Sequence, residues 1–272
     1  MNEITDAEFR RIRDFIKVKL GINLSDVKKS LIQSRLASTL GEKGFESFTQ
    51  YFDYLLQDQS GDALIQFVDK ITTNHTYFMR EKDHFDYLRE TVLPYIYEHH
   101  SQGGDLRLWC AGCSSGEEPY TLQMIIQDFF KDKPAKWDTQ ILATDISTHV
   151  LKKAIRGVYP AESLKELPSH WLHDYFSPYD EENKQVGDGI KKQITYRKFN
   201  LMDERFPFKK PFHTIFCRNV MIYFDTDTRD RLVDKFYDAT VTGGYLFIGH
   251  SESLNHKTTR YKYVKPAVYR KE

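Results

Sequence analysis

The chain has 272 residues, 40% of them hydrophobic, which is enough for one large core or two smaller ones. Its 39 lysines and arginines equal its 39 aspartates and glutamates, so it lacks the basic excess that non-specific nucleic-acid binding uses. No apolar run approaches the roughly 18 residues of a membrane span, and the N-terminus lacks a signal-peptide pattern. We therefore expect a cytoplasmic protein with no nucleic-acid partner and no membrane insertion.

Helical periodicity dominates the chain up to about residue 100. Apolar residues share a helical face in two stretches, namely Phe9, Ile12, Ile16 and Leu20, and then Ile32, Leu36 and Leu40. Gly21 and Gly41 are the predicted helix stops. The pattern predicts a helical N-terminal domain over residues 1–75, followed by a linker and joining helix over residues 76–104.

Strands alternate with helices from Leu106 onward. The predicted strands are Leu106–Cys110, Ile141–Thr144, Ile194–Phe199, Thr214–Cys217 and Tyr245–Ile248. This alternation predicts an α/β domain over residues 105–272, with a mainly parallel sheet covered by helices on both faces. Residues 158–193 break the pattern, because prolines and glycines interrupt any long helix there, and we interpret them as an insertion.

One strand-to-helix junction carries the clearest functional signal. Residues 110–121 read CAGCSSGEEPYT and follow the first predicted strand. Ligands of open α/β sheets bind at such junctions, where small residues let the backbone approach closely. The loop lacks a phosphate-binding glycine motif, and Glu117 and Glu118 would repel a phosphate at the helix N-terminus. A nucleoside with hydroxyls and a positive centre fits better, which favours S-adenosylmethionine as the cofactor.

The acids near this loop have two interpretations each. Asp145 ends the second strand, where an acid can accept hydrogen bonds from ribose hydroxyls, or it caps the helix that begins near Ser147. Glu117 and Glu118 contact the ligand, or they only interact favourably with the helix dipole. The residues alone leave both questions open.

The three cysteines of the chain raise the question of a metal or a disulfide. Cys110 and Cys113 form a C-x-x-C pattern, but no second cysteine pair or matched histidine pair completes a zinc site. Small residues that pack the loop are the better interpretation. We expect neither a bound metal nor a disulfide framework.

Four blocks of the sequence closely resemble the CheR-type enzymes, the chemotaxis receptor methyltransferases, and they occur in that family's order. The blocks are TTNHTYFMR at residues 72–80, the loop at 110–121, FCRNVMIYF at 216–224 and GHSESL at 249–254. The likeness runs from about residue 5 to the C-terminus. It implies a Rossmann-like class I methyltransferase domain with a mainly parallel seven-stranded sheet, a small antiparallel β-subdomain at 158–193, and an N-terminal all-α domain.

The resemblance also implies roles for individual residues. Those carried over as cofactor-binding are Asn74, Thr76, Arg80, Glu117, Glu118, Asp145, Asn200, Leu201, Arg218 and Asn219. Of the acid pair we favour Glu118 as the contact, without excluding Glu117. Arg80 and Tyr223 are the implied catalytic residues, which would flank the transferable methyl group and orient the acceptor carboxylate. The carboxylate that the Arg80 guanidinium binds would be either that of the substrate or that of the methionine part of the cofactor.

Each of these residues has a purely structural alternative. Asn74 and Thr76 have the side chains of helix caps, and the asparagines at strand ends are common in turns. Arg80 is followed by acids with which it would form a surface ion pair, and Tyr223 lies in an apolar run typical of a core. The residues alone do not decide between these uses.

By the resemblance, the protein is a protein-glutamate O-methyltransferase of chemotaxis signal transduction, with S-adenosylhomocysteine and glutamyl methyl esters as products. A glutamate has a pKa of about 4.3 and is ionised at neutral pH, so no general base is required. The alternatives are a methyltransferase of the same fold that acts on another protein or a small molecule, and a non-catalytic signalling protein that senses the cofactor.

The implied partner is the cytoplasmic domain of methyl-accepting chemoreceptors. A basic helical face would complement the negatively charged methylation helices of the receptor, and its members would be Lys28, Lys29, Arg35 and Lys43. In some members of the family the β-subdomain also binds a peptide from the receptor C-terminus. We expect a monomer.

Overall fold

The computed structural model describes residues 3–72, 75–99, 104–134 and 136–272. The chain divides into two compact units, one of Met1–His75 with Tyr223–Thr228, the other of Thr76–Ile222 with Arg229–Glu272. Among the described residues, no helix is long and apolar enough to span a membrane. Asn74 of the expected cofactor site lies outside the described residues.

The first unit is helical. Its α-helices in the described part are α1 (Asp6–Leu20), α2 (Lys29–Lys43), α3 (Phe48–Gln57) and α4 (Asp62–Ile71), and Asp26–Lys28 forms a 3-10 turn. Thr5 and Glu8 form a capping box that satisfies free N–H groups at the start of α1. The predicted apolar faces are buried, among them Ile12, Ile16 and Leu36.

The two predicted helix stops have different outcomes. Gly21 ends α1 in the left-handed conformation, with φ of 71°, as expected. The prediction for Gly41 was wrong, because α2 continues through it to Lys43 and ends at Gly44, with φ of 73°. The N–H of Phe45 bonds the carbonyl of Leu40 at 2.9 Å, so the helix terminus is satisfied three residues later than predicted.

The second unit contains the predicted α/β sheet. Its described strands are β1 (Gly104–Asp105), β2 (Leu108–Ala111), β3 (Trp137–Asp138), β4 (Ile141–Asp145), β5 (Val158–Pro160), β6 (Phe176–Pro178), β7 (Asn183–Val186), β8 (Ile194–Lys198), β9 (Phe212–Cys217), β10 (Thr240–Ile248), β11 (Lys262–Lys265) and β12 (Val268–Arg270). The central sheet has seven strands in the order β11-β12-β10-β9-β2-β4-β8. Only β12 pairs antiparallel, with β10 and β11, and the remaining pairs are parallel, so the expected mainly parallel sheet is confirmed.

Helices and aromatic side chains cover this sheet. The helices are α5 (Lys82–Tyr87), α6 (Leu93–His99), α7 (Glu117–Phe130), α8 (Thr148–Arg156), α9 (Ser169–Asp174), α10 (Asp188–Lys191) and α11 (Thr226–Asp238), with a π-helical turn at Leu88–Val92. Phe216 and Phe247 stack on neighbouring strands with ring centroids 4.3 Å apart. Trp109 is fully buried, and its Nε1–H donates to Thr144 Oγ1 at 2.9 Å, so the sheet interior contains no unpaired indole N–H at this position.

The insertion forms the small antiparallel β-subdomain that the resemblance implied. Its strand order is β5-β7-β6, with both pairings antiparallel. Asp128 of α7 accepts hydrogen bonds from Trp171 Nε1 at 2.5 Å and from the Tyr175 hydroxyl at 2.6 Å. These bonds fasten the subdomain to the helix that follows the glycine loop.

Candidate functional site

The loop between β2 and α7 depends on two glycines in left-handed conformations. Gly112 has φ of 95° and Gly116 has φ of 103°. A Cβ at Gly112 would lie 2.5 Å from Val220 Cγ2, and one at Gly116 would lie 2.7 Å from the Tyr159 hydroxyl. Glycine therefore lets the loop backbone approach its neighbours more closely than any other residue would. Between them, Ser114 has φ of 48°, and its buried hydroxyl has no hydrogen-bond partner among the described residues.

Asp145, at the end of β4, connects this loop to the next helix. Its Oδ2 accepts from the Ser114 N–H at 2.9 Å, and its Oδ1 accepts from the Ser147 N–H at 3.0 Å. The N-cap of α8 is Ser147, whose side chain accepts from the Val150 N–H. Asp145 is therefore not the helix cap, and its carboxylate instead orders the loop.

The two acids at the start of α7 have different neighbours. Glu117 accepts hydrogen bonds from the Ser115 hydroxyl at 2.8 and 3.0 Å, within the loop. Glu118 accepts from Cys110 Sγ at 3.0 Å and from Arg218 Nη1 at 2.7 Å. Burial raises the pKa of the Cys110 thiol, and so does Glu118, so the thiol is a neutral donor to this acid. Glu118 therefore joins the ends of β2 and β9.

Arg218, just after β9, is a buried cation between two carboxylates. Its side chain is only 2% exposed, and its Nη2 lies 3.0 Å from Glu81 Oε2. Burial acts to lower the pKa of Arg218, but Glu118 and Glu81 together raise it above its usual value. Nη2 also donates to the backbone carbonyl of Arg80. The Arg218 Nε is buried without a hydrogen-bond partner in the described structure.

Arg80 lies in a turn with an unusual backbone. Met79 has φ of 61° and Glu81 has φ of 56°, so a left-handed residue other than glycine stands on each side of Arg80. Such conformations cost about 1 kcal/mol or more each and persist where surrounding contacts impose them. The Arg80 guanidinium lies 5.9 Å from the Tyr77 ring centroid. Tyr77 is 46% exposed, so this part of the turn reaches solvent.

Glu81 is a site residue that the sequence did not reveal. Its carboxylate accepts from Arg218, from Asn219 Nδ2 at 3.2 Å and from the His250 backbone N–H at 3.2 Å. Burial acts to raise the pKa of Glu81, but Arg218 and these hydrogen bonds hold it below its usual value. From the sequence, Glu81 is only one of the acids after Arg80 that could form a surface ion pair with it, because its contact with Arg218 spans 137 residues.

Glu252 is a second acid that sequence reasoning missed. It is 7% exposed and accepts from the backbone N–H groups of Asn219 at 3.0 Å, Ile222 at 3.1 Å and Gly249 at 2.6 Å. Burial raises the pKa of Glu252, although these hydrogen bonds oppose the shift. Asn219 itself has φ of 58°. Glu252 therefore fixes the turn after β9, and its presence in the GHSESL block was the signal available in the sequence.

The other expected cofactor residues lie in neighbouring turns. Asn200 and Leu201 follow β8, whose end is tied to Asp145 by a 2.9 Å hydrogen bond from the Phe199 N–H to the Asp145 carbonyl. Asn200 Oδ1 accepts from the Met202 N–H at 3.0 Å, which is the turn-forming use of this residue. Thr76 is partly buried.

Tyr223 belongs to the helical unit, whereas Arg80 belongs to the α/β unit. The Tyr223 carbonyl accepts from the Asn23 N–H at 2.7 Å, and Lys28 Nζ lies 5.8 Å from its ring centroid. Tyr223 is thus not a core aromatic of the central sheet. The joint role of Arg80 and Tyr223 in catalysis stays a prediction.

A histidine cluster lies beside Glu81. Glu81, His84 and His250 each bring one potential metal-ligand atom to within 4.8 Å of the others. His84 is fully buried, and both of its ring nitrogens lack hydrogen-bond partners among the described residues. Burial, followed by the charge of Arg218, lowers the pKa of His84 to about 4. Because Arg218 already pairs with the Glu81 carboxylate, we interpret Glu81 as an ion-pair partner rather than as a metal ligand.

These contacts define the class of protein. A glycine loop after the first strand of the parallel core, an acid at the end of the next strand, and a third set of polar groups after β9 are the arrangement typical of the ligand site in a Rossmann-like methyltransferase. The residues present fit S-adenosylmethionine, because the buried Ser114 Oγ and Arg218 Nε have no partner in the described structure. Both groups can donate hydrogen bonds to a polar ligand.

Comparisons with known proteins give the family. Residues 74–270 match the model of the CheR methyltransferase SAM-binding domain, and residues 7–72 match that of the CheR methyltransferase all-alpha domain. A chemotaxis protein methyltransferase of Borreliella burgdorferi is 44% identical over 98% of this chain and 95% of its own length. One from Escherichia coli is 35% identical over 98% of this chain and 91% of its own length. The chain belongs to the CheR methyltransferase family, and its cofactor is S-adenosylmethionine.

Proposed function

We propose that this methyltransferase acts in bacterial chemotaxis and methylates glutamate side chains of chemoreceptors, giving glutamyl methyl esters and S-adenosylhomocysteine. The names of its relatives support the chemotaxis role. The observation that carries the proposal is the strained turn around Arg80, which the buried Arg218 ties to the strand ends of the glycine-loop site. Such a turn presents a guanidinium, which binds a carboxylate with paired hydrogen bonds.

The proposed cofactor site extends from the glycine loop to the turn after β9. Asp145, at the end of β4, would accept hydrogen bonds from ribose hydroxyls in addition to those from Ser114 and Ser147. Ser114 Oγ and Arg218 Nε, which lack hydrogen-bond partners among the described residues, would donate to polar groups of the ligand. The remaining proposed contacts are Asn74, Thr76, Arg80, Glu117, Glu118, Asn200, Leu201 and Asn219, of which Asn74 lies outside the described residues.

The contribution of the protein to the reaction would be mainly orientation. The bound cofactor supplies a methyl group on a positively charged sulfur. The acceptor glutamate is ionised at neutral pH, so the side chains need only align and partly desolvate it. Arg80 and Tyr223 would hold the carboxylate in line with the methyl group. His84 is neutral at this pH because burial lowers its pKa to about 4, and the mechanism requires no base from it.

The receptor would be recognised by the helical unit. Val27 is 89% exposed and Leu31 is 42% exposed, and Lys28 lies between them in sequence. The four basic residues expected on this face all have contacts within the chain. Lys29 pairs with Asp6 at 2.5 Å, and Arg35 donates to the Ile71 carbonyl at 2.9 Å. Lys43 Nζ donates to Gln66 Oε1 at 3.2 Å, and Lys28 Nζ lies 5.8 Å from the Tyr223 ring centroid. The proposed interface therefore combines apolar contacts with a smaller charge contribution than the sequence suggested.

A direct test uses purified protein, methyl-labelled S-adenosylmethionine and membranes that contain chemoreceptors from the source organism. We expect label on a receptor-sized band that mild base releases as methanol, because a glutamyl ester is base-labile. Arg80→Ala should reduce this release about 10²-fold or more. Arg89→Ala is the matched control, since Arg89 forms exposed ion pairs with Asp86 and Glu90, and it should retain full activity.

Two results would contradict the proposal. Base-stable label would indicate a methylated amine and hence another acceptor group. Cofactor binding without any labelled receptor would favour the alternative functions, namely a methyltransferase for another substrate or a cofactor-sensing protein.

A further inference from the structure

The backbone around Arg80 is imposed by distant residues. Met79 and Glu81 are left-handed, with φ of 61° and 56°, and neither is a glycine. No intrinsic preference of a methionine or a glutamate favours this conformation. Contacts from other segments must therefore offset its cost, and they identify which residues hold Arg80 in place.

The Glu81 carboxylate makes most of these contacts. Its Oε2 lies 3.0 Å from Arg218 Nη2, and its Oε1 accepts from Asn219 Nδ2 and from the His250 backbone N–H, both at 3.2 Å. The same Nη2 of Arg218 donates to the Arg80 carbonyl. The Glu81 side chain thus connects its own segment to the segments that contain Arg218 and His250. The backbone carbonyl of Arg80, the preceding residue, is held by the same Arg218.

Charge neutralisation alone does not account for Glu81. Arg218 already pairs with Glu118, whose Oε2 is 2.7 Å from Nη1, and the side chains of Arg218 and Glu118 are 2% and 15% exposed. One buried cation is balanced by one buried acid. Glu81 adds a second negative charge to this site, so we attribute its role to the geometry of its three hydrogen-bonded contacts rather than to its charge.

We infer that Glu81 is a positioning residue for Arg80. It fixes the turn that presents the Arg80 guanidinium, and it acts through Arg80 rather than on the substrate. The expected effect of Glu81 on receptor methylation rests on the proposed function. The expected effect of Glu81 on the backbone of the turn does not. Asp83, two residues away, provides the contrast, because it is 45% exposed and contacts His250 Nε2 and Lys265 from the outside.

Glu81→Gln is the first variant, because it preserves shape and removes one acceptor oxygen. The glutamine must direct its NH₂ group either at Arg218 or at the two donors from Asn219 and His250, so one set of bonds is lost in either rotamer. Glu81→Asp keeps the charge but is one methylene shorter. We expect Glu81→Asp to lower activity and to speed hydrogen exchange less than Glu81→Gln does. It therefore serves as the test variant if Glu81→Gln fails to fold.

The catalytic readout is a double-mutant cycle on kcat/KM for receptor methylation. Glu81→Gln should lower activity about 10²-fold, and adding Arg80→Ala to it should cost less than about 3-fold, because Arg80 is already misplaced. Asp83→Asn is the matched control, and its kcat/KM should stay within about 2-fold of wild type. Adding Arg80→Ala to Asp83→Asn should lower kcat/KM as much as Arg80→Ala does in the wild type. Multiplicative losses in the Glu81→Gln, Arg80→Ala double variant would overturn the inference.

Hydrogen exchange gives a readout that does not depend on activity. Amides in a peptide covering residues 77–86 should exchange at least about 10-fold faster in Glu81→Gln and at the wild-type rate in Asp83→Asn. Unchanged exchange in Glu81→Gln would overturn the positioning role even if activity fell. Faster exchange together with a wild type that forms no glutamyl ester would support the positioning role while contradicting the proposed function.

Discussion

Two segments of the α/β unit adopt left-handed backbone conformations by different means. In the loop after β2, Gly112 and Gly116 have φ of 95° and 103°, and they adopt these angles without steric cost. In the turn around Arg80, Met79 and Glu81 have φ of 61° and 56°, at a cost that other contacts offset. The left-handed angles of the two glycines follow from local residue type, whereas those of Met79 and Glu81 depend on contacts with a buried ionic network.

This difference has consequences for stability. The loop contains glycines whose replacement introduces direct steric conflict. The turn depends on Glu81, Arg218 and the adjoining His84, so its stability follows the protonation of buried groups.

The largest effect is expected from Gly116→Ala in the loop. A Cβ there would lie 2.7 Å from the Tyr159 hydroxyl and 2.9 Å from Ala154 Cβ, at a φ of 103°. The conformational cost of about 1 kcal/mol adds to about 1–3 kcal/mol for overpacking. We expect a loss of up to about 4 kcal/mol in the free energy of unfolding, measured by urea denaturation. A change below about 0.5 kcal/mol would show that the loop is not constrained as described.

The next effect concerns pH and the turn. Burial, followed by the charge of Arg218, lowers the pKa of folded His84 to about 4, from its ordinary value of 6.5. The unfolded chain therefore binds the proton more readily, so the His84 contribution is complete above pH 6.5 and is lost as the pH falls towards 4. The difference between the folded and unfolded pKa of His84 corresponds to a contribution of about 3 kcal/mol at most to the free energy of unfolding.

Denaturation curves between pH 7 and 4 measure this dependence. The His84→Phe variant removes the titrating group, and its stability should fall less steeply with decreasing pH than that of the wild type. Equal slopes for the two proteins would mean that His84 does not contribute to the acid sensitivity of the turn.

A smaller effect is expected from Ser114→Gly, which alters the loop without a clash. Glycine relieves the left-handed strain of Ser114, whose φ is 48°, but it adds entropy to the unfolded chain, so stability should change by less than about 0.5 kcal/mol. The lost hydroxyl should weaken binding of S-adenosylhomocysteine about 5-fold, close to 1 kcal/mol for one hydrogen bond. Calorimetry that shows wild-type affinity would remove Ser114 Oγ from the proposed cofactor site.

The smallest effect is expected from Gly41→Ala, a control for the loop glycines. Gly41 lies inside α2, and a Cβ there would meet nothing within 4 Å. Replacement by alanine should stabilise the protein by roughly 0.5–1 kcal/mol, because glycine disfavours a helix interior. Destabilisation in urea would indicate a constraint on α2 that its open surroundings do not suggest.

The sequence was informative wherever structure depends on local pattern. The central strands, the glycine loop and the acids at Glu117, Glu118 and Asp145 follow from apolar runs and small residues, which are visible within a short window. Gly41 shows where such reasoning fails, because a helix continues through one glycine when a second, Gly44, offers a better terminus.

The ionic network could not be predicted in the same way. Glu81 contacts Asn219 across 138 residues and His250 across 169 residues, and nothing in its neighbourhood distinguishes it from a solvated acid. Glu252 likewise accepts from backbone N–H groups 30 and 33 residues away. Residues of this kind become recognisable only when the fold brings the segments together, whereas Arg218 was identified through the family resemblance but without its buried pairing.

A crystal structure of the protein with S-adenosylhomocysteine tests the central claim most directly, namely that the glycine loop and the Arg218 network form the cofactor site. We expect ribose hydroxyls at Asp145, new hydrogen bonds to Ser114 Oγ and Arg218 Nε, and unchanged left-handed conformations at Met79 and Glu81. A ligand bound elsewhere, with Ser114 Oγ and Arg218 Nε still lacking partners, would contradict it.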